Sequence, residues 1–133
     1  MKAYRMVLNT PTQSMDVGGV TSFVGTDESG SFGILAGRAR FMTVLRFGLA
    51  RYRMGEDPWQ YLALPGGLLY FADDRLRIST RRYLLDSDYE RISAQLQATL
   101  RREEDELKSM RESVRQLEQA MLRRLWNQAR EAR

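Results

Sequence analysis

Two amino acids that commonly carry enzyme chemistry, cysteine and histidine, are missing from this 133-residue chain. Without cysteine there is no disulfide framework and no thiolate nucleophile. Without histidine the chain lacks the usual general base near neutral pH and the commonest zinc ligand. No spaced cluster of carboxylates suggests a metal site. We therefore expect no catalytic residue, no bound metal and no cofactor.

Long apolar runs are also missing. No stretch approaches the ~18 uninterrupted apolar residues that would span a bilayer, and the apolar run near the N-terminus is too short for a signal peptide. The formal net charge of +4 permits an acidic partner but is small for a dedicated nucleic-acid-binding protein. These absences predict a cytoplasmic protein.

Glycine and proline occur only up to Gly67, and the chain from Leu68 onward contains neither. The part before this change of composition consists of short apolar segments separated by turn residues. Two later segments flank Asp73-Asp74 in the manner of a β-hairpin. Trp59 follows a turn at the start of a strand, where we expect it in the core. This pattern predicts an all-β sandwich or barrel over residues 1–85.

Residues 86–133 have the periodicity of a helix. Asp86-Ser87-Asp88 offers an N-cap, and Glu90 lies in the first turn. The apolar residues that follow fall mostly at spacings of three, four or seven, in one stripe. They are Leu96, Leu100, Leu107, Met110, Val114, Leu117, Met121 and Leu125. Glu103 interrupts the stripe, and the sequence leaves open one long helix or a helical hairpin bent near Glu103–Lys108.

Charge is polarised along this helical segment. Seven acidic and three basic residues lie between Asp86 and Glu106, whereas seven basic and three acidic residues follow from Leu107 onward. A solvated helix with i,i+4 pairs has this pattern, and so does an antiparallel hairpin whose two arms neutralise each other. In the third interpretation, the helix has a basic tip that reaches an acidic partner, and Arg123 and Arg124 contact this partner.

The stretch SGSFGILAGR, residues 29–38, resembles a phosphate-binding loop in its glycine content alone. The Walker motif requires Lys-Ser/Thr after the second glycine, and neither Gly33 nor Gly37 is followed by that pair. The spacing of Gly30, Gly33 and Gly37 also fails the dinucleotide fingerprint Gly-x-Gly-x-x-Gly. We expect these glycines at turns or bulges between strands.

The order of several motifs resembles one family over essentially the whole chain. GSFGIL at residues 30–35 is followed by YLALPGGLL at residues 61–69, by ISTRR at residues 78–82 and then by an acidic helix start. This arrangement is similar to the epsilon subunit of F-type ATP synthases, and most like its alternate, N-type branch. The resemblance implies a β-sandwich of about ten strands, followed by C-terminal helices.

The resemblance also implies a role without catalysis. An epsilon subunit bridges the gamma subunit and the membrane c-ring at the foot of the central stalk, and turns with them. In many members the C-terminal helices extend along gamma and inhibit ATP hydrolysis, where they contact the alpha and beta subunits. The expected location is the cytoplasmic face of the inner membrane, with membrane association only through the complex and no nucleic-acid partner.

The family's interface residues map onto the glycine-rich stretch. The loop over residues 30–38, with Gly30, Ser31, Phe32 and Gly33, corresponds to the family loop that faces gamma and the c-ring. The family's usual Pro-Gly-His is Ala36-Gly37-Arg38 here, and Arg40 replaces a second proline. Our hypothesis is that Arg38 and Arg40 instead meet an acidic surface of gamma.

A second family motif, Ile/Leu-Asp-x-x-Arg-Ala, binds ATP in some members. Asp88 and Arg91 match its two charged positions, but Ser87 and Ile92 replace the flanking residues. We therefore predict weak ATP binding or none.

An alternative function rests on the run of arginine and aromatic residues from Arg46 to Arg53. Arginine can contact phosphates while aromatic side chains stack on bases, as in single-strand nucleic-acid binding. The alternative is a small β-barrel nucleic-acid-binding protein with a helical oligomerisation tail.

Overall fold

The computed structural model describes residues 2–131, and within that range ten strands are followed by helix. The strands are β1 (Tyr4–Asn9), β2 (Ser14–Val20), β3 (Ser22–Asp27), β4 (Gly30–Leu35), β5 (Phe41–Leu45), β6 (Gly48–Arg53), β7 (Gln60–Leu64), β8 (Gly67–Ala72), β9 (Arg75–Thr80) and β10 (Leu84–Asp86). The helical part comprises α1 (Tyr89–Gln95), a π-helical turn (Leu96–Leu100) and α2 (Arg101–Glu131). Residues 1, 132 and 133, which the predicted domains included, lie outside the described range.

This architecture confirms the predicted β-sandwich followed by a helical segment. It also decides between the two helical alternatives, because α2 continues without interruption through Glu103–Lys108. The hairpin alternative is therefore wrong. A bend would require glycine, proline or a packed partner at that point, and the sequence supplies neither breaker residue.

One folded sheet contains all ten strands of the described range. Its order is β10-β7-β6-β3-β5-β8-β9-β1-β2, and β4 pairs with β3 outside this path. β1 and β9 run parallel, and the other pairs are antiparallel. Side chains alternate between the two faces of a strand, so that folding the sheet encloses one apolar face as the core.

The core of the sandwich is apolar and contains buried aromatic rings. Phe23 and Phe71 are fully buried, and Phe71 meets the edge of Tyr4 with ring centroids 5.2 Å apart. The Tyr4 hydroxyl donates a 2.7 Å hydrogen bond to the carbonyl oxygen of Ile34. Burial raises the pKa of Tyr4, which keeps the phenol neutral. This bond satisfies the one polar atom that the Tyr4 side chain brings into the core.

The position of one aromatic residue differs from the sequence interpretation. Trp59, expected in the core, is only half-buried. The guanidinium carbons of Arg51 and Arg53 lie 4.6 and 5.1 Å from its ring centroid.

The chain divides into two compact units, of which the first ends at Leu100 and the second begins at Arg101. In the first unit α1 and the π turn pack on the sandwich, where Ile92, Leu96 and Leu100 are buried with Ala63 of β7. The first members of the predicted apolar stripe thus complete a small second core. The domain boundary after residue 85 stays a prediction.

Candidate protein-binding surface

The hairpin of β3 and β4 presents the glycine-rich stretch. Asp27 pairs with Gly30 at its end, and Gly30 has a φ of 119°, which only glycine adopts without strain. The Asp27 carboxylate accepts hydrogen bonds from the Ser29 hydroxyl, from the Ser29 backbone N–H at 2.9 Å and from the Thr43 hydroxyl at 2.7 Å. The side-chain hydrogen bond from Ser29, followed by that from Thr43, lowers the pKa of Asp27. The hairpin end is thereby fixed to β5.

Most of the predicted loop at residues 30–38 is strand, because Gly30–Leu35 forms β4. Ser31 and Gly33 are exposed on it, and Gly33 lies opposite Val24 without a positive φ. Phe32 is half-buried, and its ring centroid lies 5.3 Å from that of Phe41. The expectation of a loop was wrong because glycine is disfavoured in strands, whereas here β3 supplies the pairing that holds it.

The true loop spans residues 36–40 and is tied back to the sandwich. Gly37 has a φ of 83°, and its backbone N–H donates a 2.7 Å hydrogen bond to Asp74 Oδ1. Arg38 donates from Nη1 to the carbonyl oxygen of Gly33 at 3.0 Å, and its guanidinium carbon lies 4.4 Å from the Phe41 ring centroid. Arg40 is exposed. These contacts connect the loop to β4, to β5 and to the turn between β8 and β9.

An exposed apolar patch on the outer face of β5 and β8 lies beyond this loop. Cross-strand pairing places Met42 opposite Tyr70 and Val44 opposite Leu68. The exposed fractions of Met42, Val44 and Leu68 are 63%, 66% and 46%. We call these four residues the β5–β8 patch. Our sequence interpretation did not include it, although the alternation in FMTVL could have indicated an outward apolar row.

The arginine and aromatic run at residues 46–53 is divided between the two faces of the sheet, because Tyr52 is buried in the core. Arg51 and Arg53 point outward from β6, and both guanidinium groups stack on Trp59 from the neighbouring loop. Arg53 also donates from Nε to the carbonyl oxygen of Gly55 at 3.0 Å. The aromatic ring is therefore covered by arginine rather than open for stacking on a base.

The two residues of the ATP-binding motif both have partners within the chain. Asp88 is the N-cap of α1, and its carboxylate accepts a 3.1 Å hydrogen bond from the Arg91 backbone N–H. The Arg91 side chain makes a bidentate ion pair with Asp86, in which Nη2 lies 2.7 Å from Oδ1. The hydrogen bond from Arg91 is the largest cause that lowers the pKa of Asp86 to about 2. This pairing agrees with the prediction of weak or absent ATP binding, which stays a prediction.

We expect the ion pair of Asp86 and Arg91 to contribute stability at neutral pH and to lose it in acid. The pKa of Asp86 is lowered from 3.8 to about 2, so the contribution is complete above the unfolded-state value and disappears as the pH falls toward 2. Urea unfolding of the wild type and of Asp86→Asn at several pH values measures this. The difference in unfolding free energy should shrink from about pH 5 to pH 2. A difference that is constant with pH would contradict the assignment.

Arg123 and Arg124 lie on α2, in the second unit, and both are exposed. Large apolar side chains near them on α2 are exposed as well: Met110, Val114, Leu117, Met121, Leu122, Leu125 and Trp126. α2 therefore presents an unusual amount of apolar surface to solvent.

Two further features of residues 2–131 bear on other functions. No group of three or more aspartate or glutamate side chains that could hold a metal ion occurs among them. No helix in the described part is long and apolar enough to cross a membrane.

Comparison with known proteins gives a match to a protein family. The family model described as "ATP synthase, Delta/Epsilon chain, beta-sandwich domain" matches residues 4–85. A curated relative from Cereibacter sphaeroides, called ATP synthase epsilon chain 2, is 35% identical over 79 residues, which are 59% of this chain and 54% of that protein. The matched region thus spans about half of that relative's length. Another from Paraburkholderia xenovorans, with the same name, is 28% identical over 131 residues, 97% of this chain and 94% of the relative.

Solved structures with a similar fold include two chains of mitochondrial complexes. One belongs to the Tetrahymena thermophila ATP synthase central stalk and c-ring, with a TM-score of 0.54, 17% identity and coverage of 62% of this chain and 66% of that one. The other belongs to the Euglena gracilis ATP synthase OSCP/F1/c-ring structure, with a TM-score of 0.58, 16% identity and coverage of 69% and 60%. At these identities the likeness concerns the fold.

Proposed function

Because this chain belongs to the delta/epsilon family of ATP synthase subunits, we propose that it acts as the epsilon subunit in the central stalk of a rotary F-type ATP synthase. The relatives named epsilon chain 2 confirm the resemblance to the alternate copy of this subunit. The observation that carries the proposal is the match of residues 4–85, nearly the whole sandwich, to the family's β-sandwich domain. In this role the chain is a non-catalytic subunit.

The proposed task of the sandwich is mechanical. It binds gamma on one side and the c-ring on another, so that ion-driven rotation of the ring reaches the catalytic head. The hydrogen bonds of Asp27 and Gly37 support this role because they hold the β3–β4 hairpin and the following loop in one conformation. A rigid contact surface transmits torque without first having to become ordered. The chain would then be peripheral on the cytoplasmic face of the inner membrane.

We assign the gamma contact to the β5–β8 patch together with Arg38 and Arg40. Exposed apolar patches on sheet faces commonly mark protein interfaces, and arginine is enriched at such contacts. Arg40 precedes Met42 by two residues, which brings the cation close to the apolar patch along the chain. An acidic and apolar surface on gamma would match this combination. The β3–β4 hairpin, with Gly30, Ser31, Phe32 and Gly33, is the corresponding candidate for gamma and c-ring contact.

A second role that we propose for this subunit concerns α2. Its basic end, with Arg123 and Arg124, fits acidic surfaces of the alpha and beta subunits, which would allow the helix to inhibit ATP hydrolysis. The exposed apolar side chains of α2 support a contact of this kind. Such inhibition would require a two-state element whose extended form binds the catalytic head.

The gamma assignment predicts that Val44→Glu weakens binding to the cognate gamma subunit about thirtyfold, since an unpaired charge would be buried at the cost of about 2 kcal/mol. Isothermal titration of purified gamma with each variant measures this affinity. Leu85→Glu is the control, because Leu85 is an exposed apolar side chain, at 37%, on β10, which is several strands from β5 and β8 in the sheet order, and we expect it to leave the affinity unchanged. Equal affinities of the wild type and Val44→Glu would exclude the β5–β8 patch as the gamma site.

A further inference from the structure

The end of α2, residues 119–130, has a surface that differs from the rest of the helix. We call it the amphipathic segment. Met121, Leu122, Leu125 and Trp126 are all exposed in it, and Trp126, at 67%, is the most exposed large apolar side chain of the described residues. Four large apolar groups within two turns of a helix represent a substantial area that water solvates poorly.

The width of the apolar arc distinguishes this segment from a coiled-coil seam. Successive residues of an α-helix are separated by about 100°, so that the apolar residues from Leu107 to Leu117 fall within an arc of about 80°. In the amphipathic segment the arc from Met121 to Trp126 is about 140° wide. A broad arc is too wide for the seam of a two-helix coiled coil and suits a more extensive apolar surface, and the charges beside the arc indicate which surface.

The charges of the amphipathic segment have one sign. Between Glu118 and Glu131 there is no acidic residue, while Arg123, Arg124 and Arg130 are present. By the same geometry, Arg124 borders one edge of the apolar arc, and Arg123 and Arg130 border the other. Arginines at these edges can extend their charged ends to anionic groups while their methylenes follow the apolar surface. Tryptophan is enriched at the level of the lipid headgroups, where its ring contacts apolar groups and its N–H contacts polar ones.

We propose that, in the state in which α2 is not bound to the catalytic head, the amphipathic segment lies in the interface of an anionic membrane, with Trp126 inserted between lipid headgroups and Arg123, Arg124 and Arg130 against their phosphates. Charge complementarity favours this occupant over a second copy of the segment, because the cationic segment would meet another of equal charge. An apolar arc bordered by arginines on both sides suits a helix that lies in the plane of the interface. The proposal goes beyond the rotor function and does not depend on it.

The test uses the full chain and lipid vesicles of defined composition. In a Trp59→Phe background Trp126 is the one remaining tryptophan, and the introduced phenylalanine keeps an aromatic ring beneath Arg51 and Arg53. Co-sedimentation with phosphatidylglycerol–phosphatidylcholine vesicles measures binding, and the emission maximum of Trp126 reports its burial. We expect binding to these vesicles, a blue shift of Trp126, and little binding to pure phosphatidylcholine.

Two double variants separate the segment from overall charge. Arg123→Gln with Arg124→Gln should weaken binding about twenty-five-fold, from about fivefold per arginine near an anionic surface. Arg101→Gln with Arg102→Gln removes the same charge from the other end of α2 and should have little effect. The proposal would be overturned by absent vesicle binding, by binding that leaves Trp126 emission unchanged, or by equal losses in the two variants. A dimer that already buries Trp126 without lipid, detected by light scattering, would also overturn it. None of these results involves gamma, so the rotor function would stand.

Discussion

Gly67→Ala should destabilise the sandwich by about 3 kcal/mol, although it adds a single methyl group. Gly67 starts β8 opposite Thr80, and a Cβ atom there would lie 2.5 Å from the carbonyl oxygen of Ser79 on β9. The obstacle is backbone, which cannot rotate away as a side chain can. To remove the overlap between the added Cβ atom and this carbonyl oxygen, β8 and β9 would have to separate beside the core. A chemical denaturation curve followed by circular dichroism measures the loss.

Gly18→Ala is the matched control for this substitution. Gly18 lies in the edge strand β2, and the heavy atom nearest to a Cβ at this position would be Arg5 Nη1 at 3.9 Å, an ordinary contact with a flexible side chain. We expect its effect on the unfolding free energy to be within about 0.5 kcal/mol. Comparable losses in both variants would mean that glycine flexibility, rather than the approach of β9, explains the residue at position 67.

Phe71→Ala should cost about 4 kcal/mol, within the range found for removing a buried phenylalanine ring. Phe71 is fully buried in β8, and it contacts Tyr4 of β1 edge to face. Its loss would leave a cavity beneath the Tyr4 ring, whose hydroxyl is held by the carbonyl oxygen of Ile34. Because small domains are stable by only about 5–15 kcal/mol, this variant would be close to unfolding at physiological temperature.

Thermal unfolding of Phe71→Ala should be compared with that of Tyr70→Ala, its outward-facing neighbour. Tyr70 is only half-buried, and its removal leaves no enclosed cavity. We expect the Tyr70 variant to lose no more than about 1 kcal/mol. If the two variants had similar midpoints, the packing of Phe71 would not be a main source of stability.

The β-strand character of the N-terminal part could be predicted from the sequence, because short apolar segments alternate there with turn residues, and ten strands lie between Tyr4 and Asp86. The turn at Asp73-Asp74 was also predicted, and both residues have positive φ angles, of 51° and 55°. β4 was missed because pairing with β3 overrides the weak strand propensity of its two glycines. Trp59 was misplaced because β7 begins only at Gln60, so that Trp59 lies in the preceding loop, where Arg51 and Arg53 stack on its ring.

For the helical part, too, the sequence predicts local features but not the packing partners. An N-cap within Asp86-Ser87-Asp88 was predicted from local chemistry, since a side-chain oxygen satisfies a free backbone N–H, and the structure places it at Asp88. The apolar stripe was predicted as one feature, yet Leu96 and Leu100 are buried on the sandwich whereas Met110 and Val114 are exposed on α2. Helical periodicity shows that a face is apolar, and the packing partner decides where that face is covered. The β5–β8 patch was missed for a related reason, because exposure depends on tertiary structure.

The association of this chain with its gamma subunit tests the rotor assignment most directly. The chain would be co-expressed with the gamma subunit of the same genome and separated by size exclusion at moderate and at high salt. Our account predicts one-to-one co-elution at both salt concentrations. An apolar patch forms the centre of the contact, and salt weakens interactions between exposed charges far more than it weakens apolar contacts. Separate elution at both concentrations, with salt-sensitive retention of the chain on single-stranded DNA, would contradict it and favour the nucleic-acid alternative.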